Sequence, residues 1–250
     1  MQIPAVELEH VTAGYAGRPI QNDVSFRIEQ GEIVAILGGS GCGKSTMLKT
    51  MIGLLPVISG DVRIAGESII SCPLAKKQEL LRKFGVAFQN GALFRSYTLA
   101  ENIALPLQEY TNYTREEITK IVEEKLRIVG LEGAGEKMPG DLSGGMVKRG
   151  AVARALALNP GIIFLDEPSA GLDPLNSSNL DKLILEIRKK FNSTIIIVTH
   201  ELDSIFTVAD RAIFLDSNGG GILAQGSPVK LRDSCDNPFV RNFLNRGKVS

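Results

Sequence analysis

Residues 38–45 have the types and the spacing that hold a polyphosphate. They read Gly-Gly-Ser-Gly-Cys-Gly-Lys-Ser, after the apolar run 33–37 and before a helical pattern at 47–52. This strand, turn and helix order is that of a phosphate-binding P-loop, in which glycines let backbone N–H groups point at phosphate oxygens. Lys44 could reach the β- and γ-phosphates, and the Ser45 hydroxyl could ligate Mg²⁺. The segment predicts that the chain binds a nucleotide, but it does not indicate which process the nucleotide powers.

Two adjacent carboxylates, Asp166 and Glu167, follow another apolar run. Residues 162–165 are Ile-Ile-Phe-Leu, which is typical of a strand buried in a parallel sheet. Carboxylates beside a buried strand are costly unless they have partners. We therefore interpret Asp166 as a ligand of Mg²⁺, directly or through water, and Glu167 as a general base for a water aimed at the γ-phosphate.

Two further polar residues come at the ends of predicted strands. Gln89 follows residues 84–88, and His200 follows the apolar run 194–199. Open α/β sheets place ligand contacts at the carboxyl ends of their strands. Gln89 is thus a candidate Mg²⁺ ligand that could orient water, although a lone glutamine there is more often a solvated loop residue. For His200, a contact to the γ-phosphate is favoured over a buried structural role.

A second helix entry could bind an anion. Ser143 is placed as an N-cap, and Gly144 and Gly145 leave the N–H groups of the first turn bare. A flexible cap is the alternative, which spacing alone leaves open. Tyr15, in the glycine-flanked loop 13–17, could stack on an adenine ring, but by position alone an ordinary loop tyrosine is favoured.

The elements that position these residues follow an α/β pattern. Strand patterns dominate residues 5–37, and helical periodicity runs from residue 92 to about 160, with a capping box at residues 114–117. We expect a nucleotide-binding core of residues 1–91 and 161–226. A helical subdomain of residues 92–160 and a short helical tail of residues 227–250 complete the predicted division.

Composition narrows the function classes. The chain has 250 residues, 44% of them hydrophobic, and 28 basic residues balance 28 acidic ones, so nothing favours nucleic acid as a partner. Three cysteines lie in no metal-like spacing, no run approaches a membrane span, and the start lacks the pattern of a secretory signal. We expect a reduced, cytosolic protein.

Together and in this order, the motifs resemble the ATP-binding subunit of ABC transporters over essentially the whole chain. The matching positions are the A-loop aromatic Tyr15, Walker A at 38–45, the Q-loop Gln89, the signature sequence at 142–145, Walker B with its catalytic glutamate at 162–167, the D-loop at 169–173 and the switch histidine His200. A P-loop alone is common to many NTPases. A P-loop followed by Leu-Ser-Gly-Gly just upstream of Walker B is specific.

The resemblance implies a fold, ligands and a mechanism. The fold is a P-loop NTPase with a RecA-like α/β core, an N-terminal antiparallel β subdomain and an inserted α-helical subdomain. The ligands are ATP and Mg²⁺, with Ser45, Gln89 and Asp166 at the metal and Glu167, His200 and Gln89 in catalysis. The nucleotide contacts carried over by resemblance are Tyr15, Gly38, Gly39, Ser40, Gly41, Cys42, Gly43, Lys44, Ser45, Thr46, Ser143, Gly144, Gly145 and Asp173. Two copies would dimerise head to tail, each ATP lying between Walker A of one copy and the signature sequence of the other.

A finer resemblance is to the ATPases of the Mla and mammalian-cell-entry (MCE) lipid transporters. It rests on Phe-Gln-Asn-Gly-Ala-Leu-Phe at 88–94, on residues 101–107 and 109–111, and on Met146 after Leu-Ser-Gly-Gly. It implies a phospholipid or related cargo moved between bacterial membranes. The implied partners are a multispan permease of the MlaE type, an MCE-domain protein and, in some of these complexes, a STAS-domain subunit. The chain would then lie on the cytoplasmic face of the inner membrane, attached only through the permease.

Three alternatives remain open at this stage. One is an ABC ATPase for another cargo, such as amino acids or lipoproteins. Another is a soluble ABC protein acting on DNA or ribosomes, which a single cassette without a coiled-coil insertion or basic excess disfavours. The third is a regulatory nucleotide-binding module that does not hydrolyse, which Glu167 and His200 argue against.

Overall fold

The computed structural model describes residues 3–218 and 220–245, which divide into two compact units. Unit 1 comprises residues 1–80 and 194–250, and unit 2 comprises residues 81–193. Residues 1, 2, 219 and 246–250 lie outside the described residues, and the last five of these belong to the predicted tail. The predicted division at residues 92 and 160 stays a prediction.

Strands and helices alternate through most of the described chain. In chain order the elements are β1 (Val6–Tyr15), β2 (Arg18–Ile28), β3 (Ile33–Leu37), α1 (Lys44–Met51), β4 (Val57–Ile64), β5 (Glu67–Ser68), α2 (Leu74–Arg82), β6 (Phe84–Ala87), α3 (Leu99–Tyr110), α4 (Arg115–Ile128), a 3₁₀ turn (Pro139–Asp141), α5 (Gly144–Ala155), β7 (Ile162–Asp166), α6 (Pro174–Phe191), β8 (Thr194–Val198), α7 (Leu202–Val208), β9 (Arg211–Leu215), β10 (Ile222–Gly226), α8 (Pro228–Ser234) and α9 (Pro238–Leu244). Of the helices in the described ranges, none is long and apolar enough to cross a membrane.

Unit 1 contains an antiparallel sheet in the order β2-β1-β4-β5. Val6 on β1 pairs with Ile28 on one side and Ile64 on the other, and along β2 the buried apolar residues Val24, Phe26 and Ile28 alternate with exposed polar ones. This alternation is expected of a sheet with one face in the core. Tyr15 is the last residue of β1 rather than part of the expected loop.

The remaining strands of unit 1 surround the P-loop strand. Their order is β10-β9-β3-β8, with β3 parallel to β8 and β9, and β10 antiparallel to β9. Every residue of β3 and β8 is buried, as predicted for strands of a parallel sheet. The tail helices pack on this sheet, and Val240 and Leu244 enter its core beside Phe214. Phe239 is 46% exposed, and its ring meets that of Phe214 edge-on with centroids 6.3 Å apart.

Unit 2 combines a strand pair with helices. β6 is parallel to β7, and helices α3, α4 and α5 pack on one another, with α5 also against β6. The predicted capping box at Thr114 and Glu117 begins α4, and Thr98 and Glu101 form a second one at α3. Each satisfies N–H groups that would otherwise be unpaired at a helix start.

A close backbone approach fixes β6 against the end of α5. A Cβ on Gly85 would lie 2.0 Å from the carbonyl oxygen of Ala155, a distance that no side chain can occupy. Since β6 leads directly into Gln89, this contact helps to set where that residue emerges.

We expect Gly85→Ala to lower the free energy of unfolding by about 1–3 kcal/mol, because the added methyl group must displace backbone. Urea denaturation measures the loss. Gly161→Ala is the matched control in the same unit, since a Cβ there would meet no atom within 4 Å. Equal unfolding midpoints for the two variants would contradict the packing described.

Candidate functional site

The P-loop of unit 1 curls through left-handed backbone. Gly41 and Gly43 have φ values of 76° and 94°, and Gly43 is the N-cap of α1. Such values favour glycine because a side chain would be strained there. Lys44 Nζ donates hydrogen bonds to the carbonyl oxygens of Gly38 and Gly39, both at 3.0 Å. The lysine ammonium and the helix N-terminus therefore lie at one turn, which suits a polyphosphate.

The inner side of this loop is closely packed. A Cβ on Gly38 would lie 2.5 Å from Cys42 Sγ, and one on Gly43 would lie 2.7 Å from Ile20 Cγ2. Burial raises the pKa of the Cys42 thiol, although the Lys44 ammonium opposes the rise. At neutral pH the thiol therefore stays protonated and serves as packing.

A buried amide that the sequence analysis missed supports the loop from behind. Gln21 on β2 is fully buried. Its Nε2 donates to the carbonyl oxygens of Cys42 at 2.7 Å and Asp216 at 2.5 Å, and its Oε1 accepts from Gly221 N at 3.2 Å. One side chain thus links the P-loop to the β9–β10 connection. Sequence patterns could not reveal it, since one of its partners lies 195 residues away.

His200 lies at the same sheet edge as the P-loop. Ile36 of β3 pairs with Val198 of β8 in parallel register, so Gly38 and His200 each come two residues beyond a matched pair. The imidazole is exposed, with Nε2 3.7 Å from Glu201 Oε1. Tyr15, also in unit 1, is 46% exposed at the end of β1, where its ring is open to contact.

Gln89 and the two carboxylates share an edge in unit 2. Ala87 of β6 pairs with Leu165 of β7, so Gln89 and Glu167 each follow a matched pair by two residues. Asp166 and Glu167 are buried, whereas Gln89 is exposed. Glu167 has a φ of 48°, in the left-handed region that non-glycine residues rarely adopt. Residues held in such conformations cluster at active sites and ligand-binding turns.

The second helix entry, also in unit 2, has the predicted N-cap. Ser143 Oγ accepts a hydrogen bond from Met146 N at 3.3 Å. A Cβ on Gly144 would meet no atom within 4 Å, so the first turn is open on that side. A Cβ on Gly145 would lie 3.5 Å from Asn176 Oδ1, near the start of α6.

Asp173 caps α6. Its Oδ1 accepts from Leu175 N at 3.1 Å and Asn176 N at 3.0 Å. Two hydrogen bonds from Asn176 lower the pKa of the Asp173 carboxyl, and the one from the backbone N–H has the larger effect. Before it in the D-loop segment, Ser169 is buried, and its Oγ is without a hydrogen-bond partner among the described residues.

The comparisons with known proteins agree with this arrangement. Residues 21–170 match the family described as ABC transporter. The probable ribonucleotide transport ATP-binding protein mkl of Mycobacterium leprae is 42% identical over 245 residues, 98% of this chain and 70% of that protein. The intermembrane phospholipid transport system ATP-binding protein MlaF of Escherichia coli K12 is 36% identical over 240 residues, 96% of this chain and 88% of that protein.

Solved structures give the same result for the fold. The ATP-binding cassette MJ0796, a dimer in a post-hydrolysis state bound to ADP and Pi, has a TM-score of 0.81 and 31% identity, and the match covers 89% of this chain and 98% of that chain. CbiO1 of Clostridium perfringens, part of the ABC transporter complex cbiONQ, has a TM-score of 0.83 and 29% identity. The match covers 93% of this chain and 92% of that chain. The predicted fold class is confirmed.

We expect Gln21→Leu to weaken ATP binding about tenfold, which corresponds to about 1.4 kcal/mol. The substitution leaves the carbonyl oxygens of Cys42 and Asp216 without their amide donor, and the buried Cys42 carbonyl alone costs about 1–3 kcal/mol when unpaired. Titration calorimetry with ATP measures the change. Gln30→Leu is the control, because Gln30 is exposed and its side chain donates to the carbonyl oxygen of Ile3, away from the P-loop. ATP affinity equal to that of the unaltered chain would argue against support by Gln21.

The family match covers both the P-loop and the segment from Ser143 to Glu167. The similarity to mkl and MlaF extends over nearly the whole chain, and the fold is that of solved ABC cassettes. The chain therefore belongs to the ABC transporter family, as an ATP-binding subunit that hydrolyses ATP to power transport.

Proposed function

We propose that this subunit works as a homodimer on a permease that moves phospholipid or a related lipid between bacterial membranes. The lipid cargo is inferred from the 36% identity, over 96% of this chain, to MlaF, which is named for intermembrane phospholipid transport. The segment 88–94 agrees with it, since it has the sequence expected of the Mla and MCE group. The subunit would lie on the cytoplasmic face of the inner membrane.

The proposed roles in nucleotide binding and hydrolysis are assigned to the residues at the strand ends of unit 1 and of unit 2. In unit 1, residues 38–46 hold the phosphates, Tyr15 stacks on the adenine and His200 contacts the γ-phosphate. Ser45, Gln89 and Asp166 offer hydroxyl, amide and carboxylate oxygens, the hard donors that Mg²⁺ takes alongside phosphate and water. When bound, this cation offsets the charge of the β- and γ-phosphates.

The second anion-binding helix entry supports the dimer. Ser143, Gly144 and Gly145 would meet the ATP held by Walker A of the other copy, and Asp173 would shape the same junction. Both MJ0796 structures among the relatives are dimers. ATP would hold the two copies together, and hydrolysis with Glu167 as base would release them.

A rigid aromatic projection supports coupling to a permease. Asn102 on α3, fully buried, accepts from Phe94 N at 2.7 Å and donates to the carbonyl oxygens of Phe94, Tyr97 and Thr98. Arg154 on α5 donates to the carbonyls of residues 92 and 91 at 2.7 and 3.0 Å. The backbone is thus fixed from inside the unit.

Two aromatic side chains of this segment are exposed. Phe94 and Tyr97 are 56% and 40% exposed, with ring centroids 5.9 Å apart. A pre-ordered aromatic pair loses little entropy when it docks, so it suits a contact with a protein partner. We propose that the pair contacts a permease of the MlaE type. An MCE-domain protein, and a STAS-domain subunit where one exists, complete the assembly.

A second candidate cargo is a ribonucleotide. The relative mkl, named a probable ribonucleotide transport ATP-binding protein, is 42% identical, which is higher than the identity to MlaF. The ATPase mechanism would be the same for either cargo, and the molecules recovered with the complex distinguish them.

We expect Glu167→Gln to keep ATP binding while lowering kcat about 10²- to 10⁴-fold, the usual contribution of a general base. Steady-state ATPase assays measure the loss, and light scattering with ATP should show a persistent dimer. Glu186→Gln, an exposed position on α6, is the control and should retain normal turnover. Unchanged hydrolysis in Glu167→Gln would refute the base assignment.

The function is tested by purifying the subunit from its own membranes in detergent, followed by mass spectrometry of the proteins and lipids recovered. A multispan permease, an MCE-domain protein and phospholipid are expected. A permease with a solute-binding protein or with ribonucleotide would overturn the lipid cargo, and recovery without a membrane partner would overturn transport.

In the same experiment, Phe94→Ala combined with Tyr97→Ala should reduce permease recovery about tenfold or more, as expected for loss of an interfacial aromatic anchor. The reference is Tyr113→Ala, since Tyr113 is 50% exposed in the same unit but outside this segment. Equal recovery from both preparations would exclude the aromatic pair as the contact.

A further inference from the structure

Lys148 connects three functional segments of unit 2. It lies on α5, the helix that Ser143 caps. Its Nζ donates to the carbonyl oxygen of Gln89 at 2.5 Å and to the carbonyl oxygen of Glu167 at 2.9 Å. The signature helix, the Q-loop and the end of Walker B therefore meet at one ammonium group.

The charge environment agrees with this position. Burial lowers the pKa of Lys148, whereas the charges of Glu167 and then Asp166 oppose that shift. The ammonium group is thus within the field of both carboxylates while it bonds to backbone. A lysine can do this because it has three donors and carries no acceptor of its own.

The backbone that Lys148 holds is an unfavourable one. Glu167, with its φ of 48°, is followed by Pro168, and a residue before proline ordinarily prefers extended backbone. A non-glycine residue in the left-handed region costs about 1–3 kcal/mol. The hydrogen bond from Lys148 to the Glu167 carbonyl orients this peptide and offsets part of that cost, since hydrogen bonds to charged groups contribute about 1.5–3 kcal/mol.

We propose that Lys148 is a positioning residue for ATP hydrolysis. It holds the backbone of Glu167 and also binds the carbonyl oxygen of Gln89, so the conformation of Glu167 depends on the position of the Gln89 loop. Movement of that loop, or of the signature helix, changes the Lys148 hydrogen bonds and so the direction of the Glu167 carboxylate. The inference rests on the proposed role of Glu167 as base. It makes Lys148 the link through which events at the permease-facing segment reach the catalytic glutamate.

The test compares Lys148→Met, which keeps the length but removes the donors, with Lys148→Arg, which keeps them. We expect Lys148→Met to lower kcat about 10- to 100-fold, the effect of a misplacement of about 1 Å. KM for ATP, ATP affinity and the melting temperature should stay close to those of the unaltered chain. Lys148→Arg should recover most of the turnover, and Lys120→Met, at an exposed position on α4, is the control.

A double variant separates positioning from a general structural effect. In a Glu167→Gln background, Lys148→Met should change the single-turnover rate less than about twofold, because residues that act as a unit are non-additive. A full further loss would show that Lys148 acts elsewhere and overturn the inference. So would an unchanged kcat in Lys148→Met, or equal losses in the Met and Arg variants.

The two proposals fail in different ways. Normal turnover in Glu167→Gln alone removes the base assignment and this inference with it. A normal loss in Glu167→Gln together with full activity in Lys148→Met removes only the role of Lys148. If Lys148→Met does not fold, Lys148→Gln takes its place, with a smaller expected loss of kcat because its shorter side chain keeps a neutral donor but no charge.

Discussion

Parallel pairing between buried strands is the constraint on which the candidate residues of each unit depend. β3, β7 and β8 are buried at every position, so polar groups can appear only where these strands end. The register then decides which of those groups become neighbours. It brings Gly38 and His200 to one level in unit 1, and Gln89 and Glu167 to one level in unit 2.

The loops beyond those strand ends are held by side chains from other elements. Gln21 fixes the P-loop, Asn102 and Arg154 fix the segment that carries Phe94, and Lys148 fixes the end of Walker B. All four bond to backbone carbonyls. A loop that is already ordered does not lose that conformational entropy when its ligand or partner arrives.

The sequence predicted those parts of the molecule that depend on local pattern. Continuous apolar runs indicated the buried strands, and residue types at helix starts predicted the caps at Thr114 and Ser143, which the structure confirms. Motif order predicted the family, which the comparisons confirm. The roles of the site residues stay predictions that the proposed substitutions test.

The sequence could not reveal the long-range supports, for a physical reason. A carbonyl oxygen is the same at every residue, so the partners of Gln21 and Lys148 leave no trace in residue types. The sequence also showed no sign of the left-handed backbone at Glu167. Left-handed positions in turns are usually predicted from glycine or asparagine, not from a glutamate before proline.

These hidden features have an energetic consequence for coupling. The cost of the Glu167 conformation, about 1–3 kcal/mol, is similar to the contribution of one hydrogen bond to a charged group, about 1.5–3 kcal/mol. Because these two free energies are similar, a small displacement that weakens the hydrogen bond can change the conformation that Glu167 prefers. If either free energy were much larger, Glu167 would stay in one conformation. Lys148 shares its donors between Glu167 and the Gln89 loop, so a shift of that loop alters one of these two free energies directly. Coupling through this lysine therefore needs no large rearrangement within unit 2, only the gain or loss of one charged hydrogen bond.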